Sequence, residues 1–244
     1  MAYAVQYLRS LLFVGQMYFM MLVIGVVFLP WAAVSKNGAY GACKTYCAWV
    51  RWTARWMVGL TTEVRGEVPT GNVLVASKHQ SFLDIIMIFQ HLPRGKFIMK
   101  KQILWTPIIG LYAWRLECIA VDRGKRGAAI DKMVKDVQEG QKEPGQLIIY
   151  SQGTRVPPGV KASYKVGTAI LYKQLGEACV PAATNVGVFW PRTGIYRKPG
   201  HAVVEFLPQM ETGLDQAAFM KALESRVEAA SEALLDEAGF ERLE

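Results

Sequence analysis

Between Arg9 and Lys36 the chain carries no charge. Inside that gap, Ser10 to Leu29 reads SLLFVGQMYFMMLVIGVVFL. As a helix these residues extend about 30 Å, the hydrocarbon thickness of a bilayer. A secretory signal has an apolar region of only about 7–15 residues, so this segment is too long for one. Pro30 is expected to stop or kink the helix. A membrane helix is the reading that constrains the rest of the chain.

A second helix is predicted over Tyr40–Leu60. Lys44, Arg51 and Arg55 fall within about 40° of one another on it, beside an arc of Trp49, Trp52 and Trp56. A basic stripe next to tryptophans suits a helix lying among lipid headgroups; the alternative is a helix packed on the body with its bases in water. Nucleic acid is a poorer partner, given the apolar helix next door. Lys36, Lys44, Arg51 and Arg55 lie beyond the first helix and place its C-terminal end in the cytoplasm. A full span and a two-helix hairpin dipping into one leaflet present these bases alike.

Charge divides the chain. Residues 1–62 hold no acid, Glu63 being the first, whereas residues 213–244 hold eight acids and three bases. The net +8 therefore belongs to the N-terminal segment and the body, and calls for an anionic partner. Residues 1–62 are read as a membrane-attached helical segment and 63–244 as a separate α/β domain. With 52% hydrophobic residues the chain is no disordered protein.

Beyond Glu67, short β-type runs at 72–77, 96–99, 118–121, 146–151, 179–184 and 202–207 alternate with helical stretches at 82–91, 128–139, 163–175 and about 215–238. The predicted class is α/β, with a mixed, largely buried sheet flanked by helices behind an N-terminal membrane-attached two-helix segment. Leu214, Ala218, Val227, Leu234 and Ala238 are expected on one stripe of the last helix, with its acids opposite. The four cysteines form no C-x-x-C pair, so buried or lipid-facing thiols are expected, without zinc or disulfides. No dinucleotide fingerprint, Walker A loop or G-x-S-x-G elbow is present.

Chemistry gathers around His79. If a helix begins at Ser81, His79 stays on the turn before it and Asp84 in its first turn can fold back onto the imidazole. Ser81-x-x-Asp84 is also an ordinary helix-start signature. His91 and His201 read as helix-end and loop residues.

From His79 to Pro181 the chain resembles the glycerolipid acyltransferases, in particular the bacterial 1-acylglycerol-3-phosphate acyltransferases. His79-Gln-Ser-Phe-Leu-Asp84 matches the family's His-x4-Asp block. Phe97 to Gly110, with Lys100, Pro107 and Gly110, is similar to its Lys-x-Glu-Leu…Pro-x-x-Gly segment. Ile119-Ala-Val-Asp-Arg123 matches the second block, Gln152-Gly153-Thr154-Arg155 the third (Glu-Gly-Thr-Arg), and Val180-Pro181 the fourth. Two carboxylates of the pattern are replaced, by Gln102 and Gln152.

The resemblance implies transfer of a fatty acyl group from acyl-CoA or acyl-acyl carrier protein to a lyso-lipid hydroxyl. The acceptor it implies is 1-acylglycerol-3-phosphate, at the cytoplasmic face of an inner membrane. His79 is the implied base and Asp84 its partner, with Lys100, Arg123, Gln152, Gly153, Thr154 and Arg155 binding substrate. No metal or further cofactor is expected. Loss of the third-block Glu motivates a second acceptor, a lyso-aminolipid such as lyso-ornithine lipid; a non-enzymatic membrane-binding protein is the third reading.

Overall fold

The computed structural model describes residues 2–122, 135 and 145–241. Candidate Arg123 lies outside them, as does the helix expected over 128–139 apart from Lys135.

Helix α1 (Ala2–Val27) buries one face, through Gln6, Ser10, Phe13, Met17, Ile24 and Gly25. Near its start, the Gln6 amide donates to the carbonyls of Val58 and Arg197 at 3.0 and 2.8 Å. Ser10 Oγ accepts from the Arg197 backbone N–H at 2.9 Å, and Phe13 packs edge-on against Trp190. Pro30 permits a restart instead of a stop: it sits in the first turn of the short helix α2 (Leu29–Val34), where a missing N–H costs nothing. Ser35 then caps α3 (Lys36–Met57) by accepting from Asn37 N–H.

The predicted basic stripe on α3 does not stay together. Arg51 turns inward and donates to Thr62 Oγ1 at 2.7 Å and Gln90 Oε1 at 2.8 Å, binding the helix to the body, whereas Arg55 is exposed. Gly59, at φ +72°, ends the helical run. Strand β1 (Leu60–Arg65), not predicted from the sequence, comes next. Only Leu60 of β1 is fully buried, which is why no apolar run marked it. The 62/63 division falls inside this strand.

The remaining elements are β2 (Val73–Ser77), α4 (Leu83–His91), β3 (Gly95–Lys100), a 3-10 turn (Lys101–Trp105), α5 (Ile109–Arg115), β4 (Ile119–Val121) and β5 (Gln146–Tyr150). Then come α6 (Gly167–Leu175), β6 (Cys179–Thr184), β7 (Gly200–Phe206) and α7 (Gln216–Glu237). Among the described residues they form a seven-stranded sheet in the order β1-β7-β6-β2-β5-β3-β4. Neighbouring strands are parallel except β6 and β7. Every residue of β2, β5 and β6 is buried. Covering both faces requires such unbroken apolar runs.

On one face Val75, Ile148 and Tyr150 meet α3 and α4, while α1 joins the same core. On the other, Leu74, Leu147 and Ile149 meet Leu171 of α6 and Phe219, Leu223 and Val227 of α7. Asp215 caps α7 by accepting from Ala217 and Ala218 N–H. The stripe of α7 differs from the expected one: Phe219 and Leu223 are buried and Ala218 is exposed. The cysteines are free thiols, and burial pushes Cys118 and Cys179 up to about 11 and about 12, leaving them protonated at neutral pH.

Candidate active site

Strands β6, β2, β5, β3 and β4 run parallel, so their C-terminal ends share one edge, the customary place for ligands in such sheets. His79 lies two residues past β2, Gln152 two residues past β5, and Lys100 is the last residue of β3.

Asp84 lies in the first turn of α4 and is completely buried. Its Oδ1 is 2.9 Å from His79 Nδ1, and its Oδ2 accepts from the backbone N–H groups of Gln80 and Ser81, both at 2.8 Å. Ser81 Oγ accepts from Leu83 N–H at 3.1 Å. The helix starts two residues later than Ser81, at Leu83 after an N-cap at Phe82, and Ser81 braces the turn before it; Asp84 in the first helical turn still reaches the imidazole. An ionised Asp84 can only accept, so Nδ1 carries the proton and Nε2 the lone pair. No hydrogen bond to Nε2 occurs among the described residues, and His79 is 12% exposed.

Tyr150 stacks on the His79 ring, centroids 3.8 Å apart and planes at 17°. Its phenol is held well above the ordinary range, first by burial and then by the Asp84 charge, so it remains a neutral wall. The third block is tied to the same turn: Val156 N–H donates to the His79 carbonyl at 2.8 Å, and Lys165 N–H to the Ser151 carbonyl at 2.7 Å. Gly153 sits at φ +70°, a conformation that itself calls for glycine. Gln152 is buried; its amide donates to the Ala162 carbonyl at 3.3 Å. Gln152 Oε1 and Ser151 Oγ are buried with no hydrogen-bond partner among the described residues.

Arg155 is half-buried, donating to the Arg192 carbonyl at 3.2 Å while Arg192 donates back to the Arg155 carbonyl at 3.3 Å. Thr154 and Lys100 are exposed. The structure bonds His79 to Asp84 directly and reaches the third block through the next residue, Val156, whose N–H donates to the His79 carbonyl. Lys100 shares their edge but lies two strands from β2.

Sequence reasoning missed three contributors. Tyr150 ends the apolar run of β5, two residues before Gln152, which is the one signal that could have pointed to it. Gln80, whose Oε1 accepts from Gly187 N–H at 2.9 Å, and Lys78 had no local signal. Lys78 Nζ lies 2.6 Å from Glu228 Oε2 of α7, and Glu228 Oε1 accepts from the Tyr164 hydroxyl at 2.9 Å.

Replacing Gln152 with Glu removes the donor to Ala162 and buries a carboxylate beside a carbonyl. This change should lower stability by about 1–3 kcal/mol, a fall in Tm of about 2–12 °C. Thermal denaturation checks it.

The parallel-strand edge of this α/β fold thus carries a histidine oriented by a buried carboxylate, an arrangement that can act as a general base. The profile of the acyltransferase family matches residues 61–185, just over half of the chain, which belongs to that family and is an acyltransferase. A 1-acyl-sn-glycerol-3-phosphate acyltransferase of Pseudomonas aeruginosa is 28% identical over 188 residues, 76% of this chain and 73% of the relative. The mouse (Mus musculus) 1-acyl-sn-glycerol-3-phosphate acyltransferase alpha is 29% identical over 165 residues, 65% of this chain and 58% of the relative. The crystal structure of the 1-acyl-sn-glycerophosphate acyltransferase PlsC from Thermotoga maritima shares the fold. Its TM-score is 0.79 at 17% identity, covering 96% of this chain and 99% of that one.

Proposed function

We propose that this chain moves a fatty acyl group from an acyl thioester, acyl-CoA or acyl-acyl carrier protein, to the free hydroxyl of 1-acylglycerol-3-phosphate, giving phosphatidic acid. The observation that carries it is the His79–Asp84 pair with its open Nε2. Nε2 takes the hydroxyl proton as the oxygen attacks the thioester carbonyl; Asp84 steadies the imidazolium that forms. When the tetrahedral adduct collapses, the thiolate leaves and receives that proton. His79 is neutral again and no acyl-enzyme is required. The names of the relatives support the acceptor. Arg155, with its planar fork, and Lys100, as a point charge, serve its phosphate.

Residues 1–62 attach the enzyme to the cytoplasmic face of the inner membrane, with 63–244 as its catalytic domain. Leu8, Leu12, Phe19 and Leu22 of α1 and Trp52 and Trp56 of α3 are exposed, an apolar face of the kind that seeks lipid. The opposite face of α1 is fastened to the body near both ends, since Tyr112 donates to the Gly25 carbonyl at 2.7 Å as Gln6 does to Val58 and Arg197. A helix held along the domain in this way favours entry into one leaflet over a crossing.

Purified full-length protein, assayed with a panel of lyso-lipids and both donors, tests the reading: phosphatidic acid should be the best product. A higher efficiency on a lyso-aminolipid would replace the acceptor, and vesicle binding without acyl transfer to any acceptor would leave a lipid-binding protein. Arg155→Lys keeps the charge and loses the fork. It should lower acceptor kcat/KM by roughly 10–150-fold, the worth of one charged hydrogen bond, with donor KM unchanged. Unaltered acceptor kinetics would remove Arg155 from the site.

A further inference from the structure

Among the described residues outside α1–α3, the most exposed large apolar side chains are two tryptophans that share one surface. On the 3-10 turn and α5, Trp105 is 81% exposed, Trp114 68% and Leu111 44%, and all three line one open groove with Pro107 and Ile108. Lys100 and Lys101, both exposed, stand directly before it. Tryptophans with flanking lysines are the side chains that settle at a bilayer interface, ring in the acyl boundary and ammonium at the headgroups.

The segment is held in one shape. Ile108 adopts φ +63°, a strained conformation for a β-branched residue. Its side chain lies over Gly25 of α1, where an added Cβ would come within 2.6 Å of it. Gly110 has no room for a side chain at all, since a Cβ there would collide with the Leu104 carbonyl oxygen. Tyr112 holds the Gly25 carbonyl, and Arg115 Nε donates to the Ala32 carbonyl at 2.8 Å. The groove is thereby joined to the stretch of chain that exposes Val26, Val27 and Trp31. That continuity, with the two lysines, selects a lipid leaflet as the occupant.

We propose that residues 101–114 are a second leaflet-inserted element, belonging to the α/β body itself. The body is then docked on the membrane through its own residues as well as tethered through α1–α3. Because β3 ends at Lys100, insertion of residues 101–114 brings the sheet edge that carries His79 to headgroup depth, where the hydroxyl of a lyso-lipid lies. The inference rests on the reading of α1–α3 as leaflet-attached.

The test uses full-length protein bound to vesicles of phosphatidylglycerol and phosphatidylethanolamine with dibrominated chains, which quench tryptophans that reach the acyl region. Trp105→Phe/Trp114→Phe and Trp52→Phe/Trp56→Phe are compared with wild type, and each pair should remove part of the quenchable emission. If only the Trp52/Trp56 pair does so, the second element is overturned and the attachment through α3 stands. If neither does, both readings fall. If only the Trp105/Trp114 pair does so, the second element is upheld and the contact through α3 falls. In activity, Trp105→Ser/Trp114→Ser should lower kcat/KM on a vesicle-borne acceptor by about tenfold or more, and on a monomeric short-chain acceptor by less than about twofold. An equal fall on both acceptors would overturn the proposal, as would a wild-type dimer in solution that this variant loses.

Discussion

Replacing His79 with alanine should lower kcat by roughly 10²–10⁴, the usual worth of a positioned general base, with little change in acceptor KM and no loss of fold. The side chain is small, stands on a turn, and bonds only through Nδ1 among the described residues, so its removal leaves the backbone bonds of the turn intact. Asp84→Asn tests the orientation of that base. Asp84 accepts on both oxygens, one toward His79 Nδ1 and one toward two backbone N–H groups. An amide has only one oxygen, and the two backbone donors claim it. Its NH2 then faces Nδ1, forces the proton onto Nε2 and leaves no lone pair for the substrate. Turnover of Asp84→Asn should therefore fall nearly as far as that of His79→Ala, with a folded protein by circular dichroism. Near-normal turnover in His79→Ala would sink the mechanism.

The second large effect is on stability. Lys78, whose side chain is 3% exposed, has its ammonium held by Glu228, which is 24% exposed and reaches in from α7. Glu228→Ala leaves that ammonium buried and unpaired and strips the Tyr164 hydroxyl of its acceptor. Removing one partner of such a pair costs about 3–5 kcal/mol, so Tm should drop by about 6–20 °C. Replacing both ends together, as Lys78→Met/Glu228→Leu, should recover most of the loss, since an apolar pair needs no desolvated charge. Because Lys78 adjoins His79, the alanine variant should lose activity at temperatures where it is still folded. A melting curve within about 1 °C of wild type would show that the pair holds nothing.

Much of this protein is written in stretches of neighbouring residues. The buried strands β2, β5 and β6 are legible as apolar runs between turn residues because a strand covered on both faces has no other option. Ser81 and Asp84 announce the start of α4, and the same two residues bring carboxylate to imidazole, so a local signal carried the functional geometry as well. Where partners lie far apart, tertiary structure decided. Strand β1 exists because β7 offers it a ladder, and its own sequence, with one fully buried residue, has no period to read. Arg51 looked like one of three headgroup bases and became a tie to Thr62 and Gln90 once α3 packed on the body. Lys78 and Glu228 are 150 positions apart, and no spacing rule reaches that far. Hydropathy marked α1 as long and apolar enough for a membrane but could not show which of its faces packs on the body. The bonds of Gln6, Ser10 and Gly25 fasten its inner face to the body, since polar groups on a buried face must find partners wherever the fold supplies them.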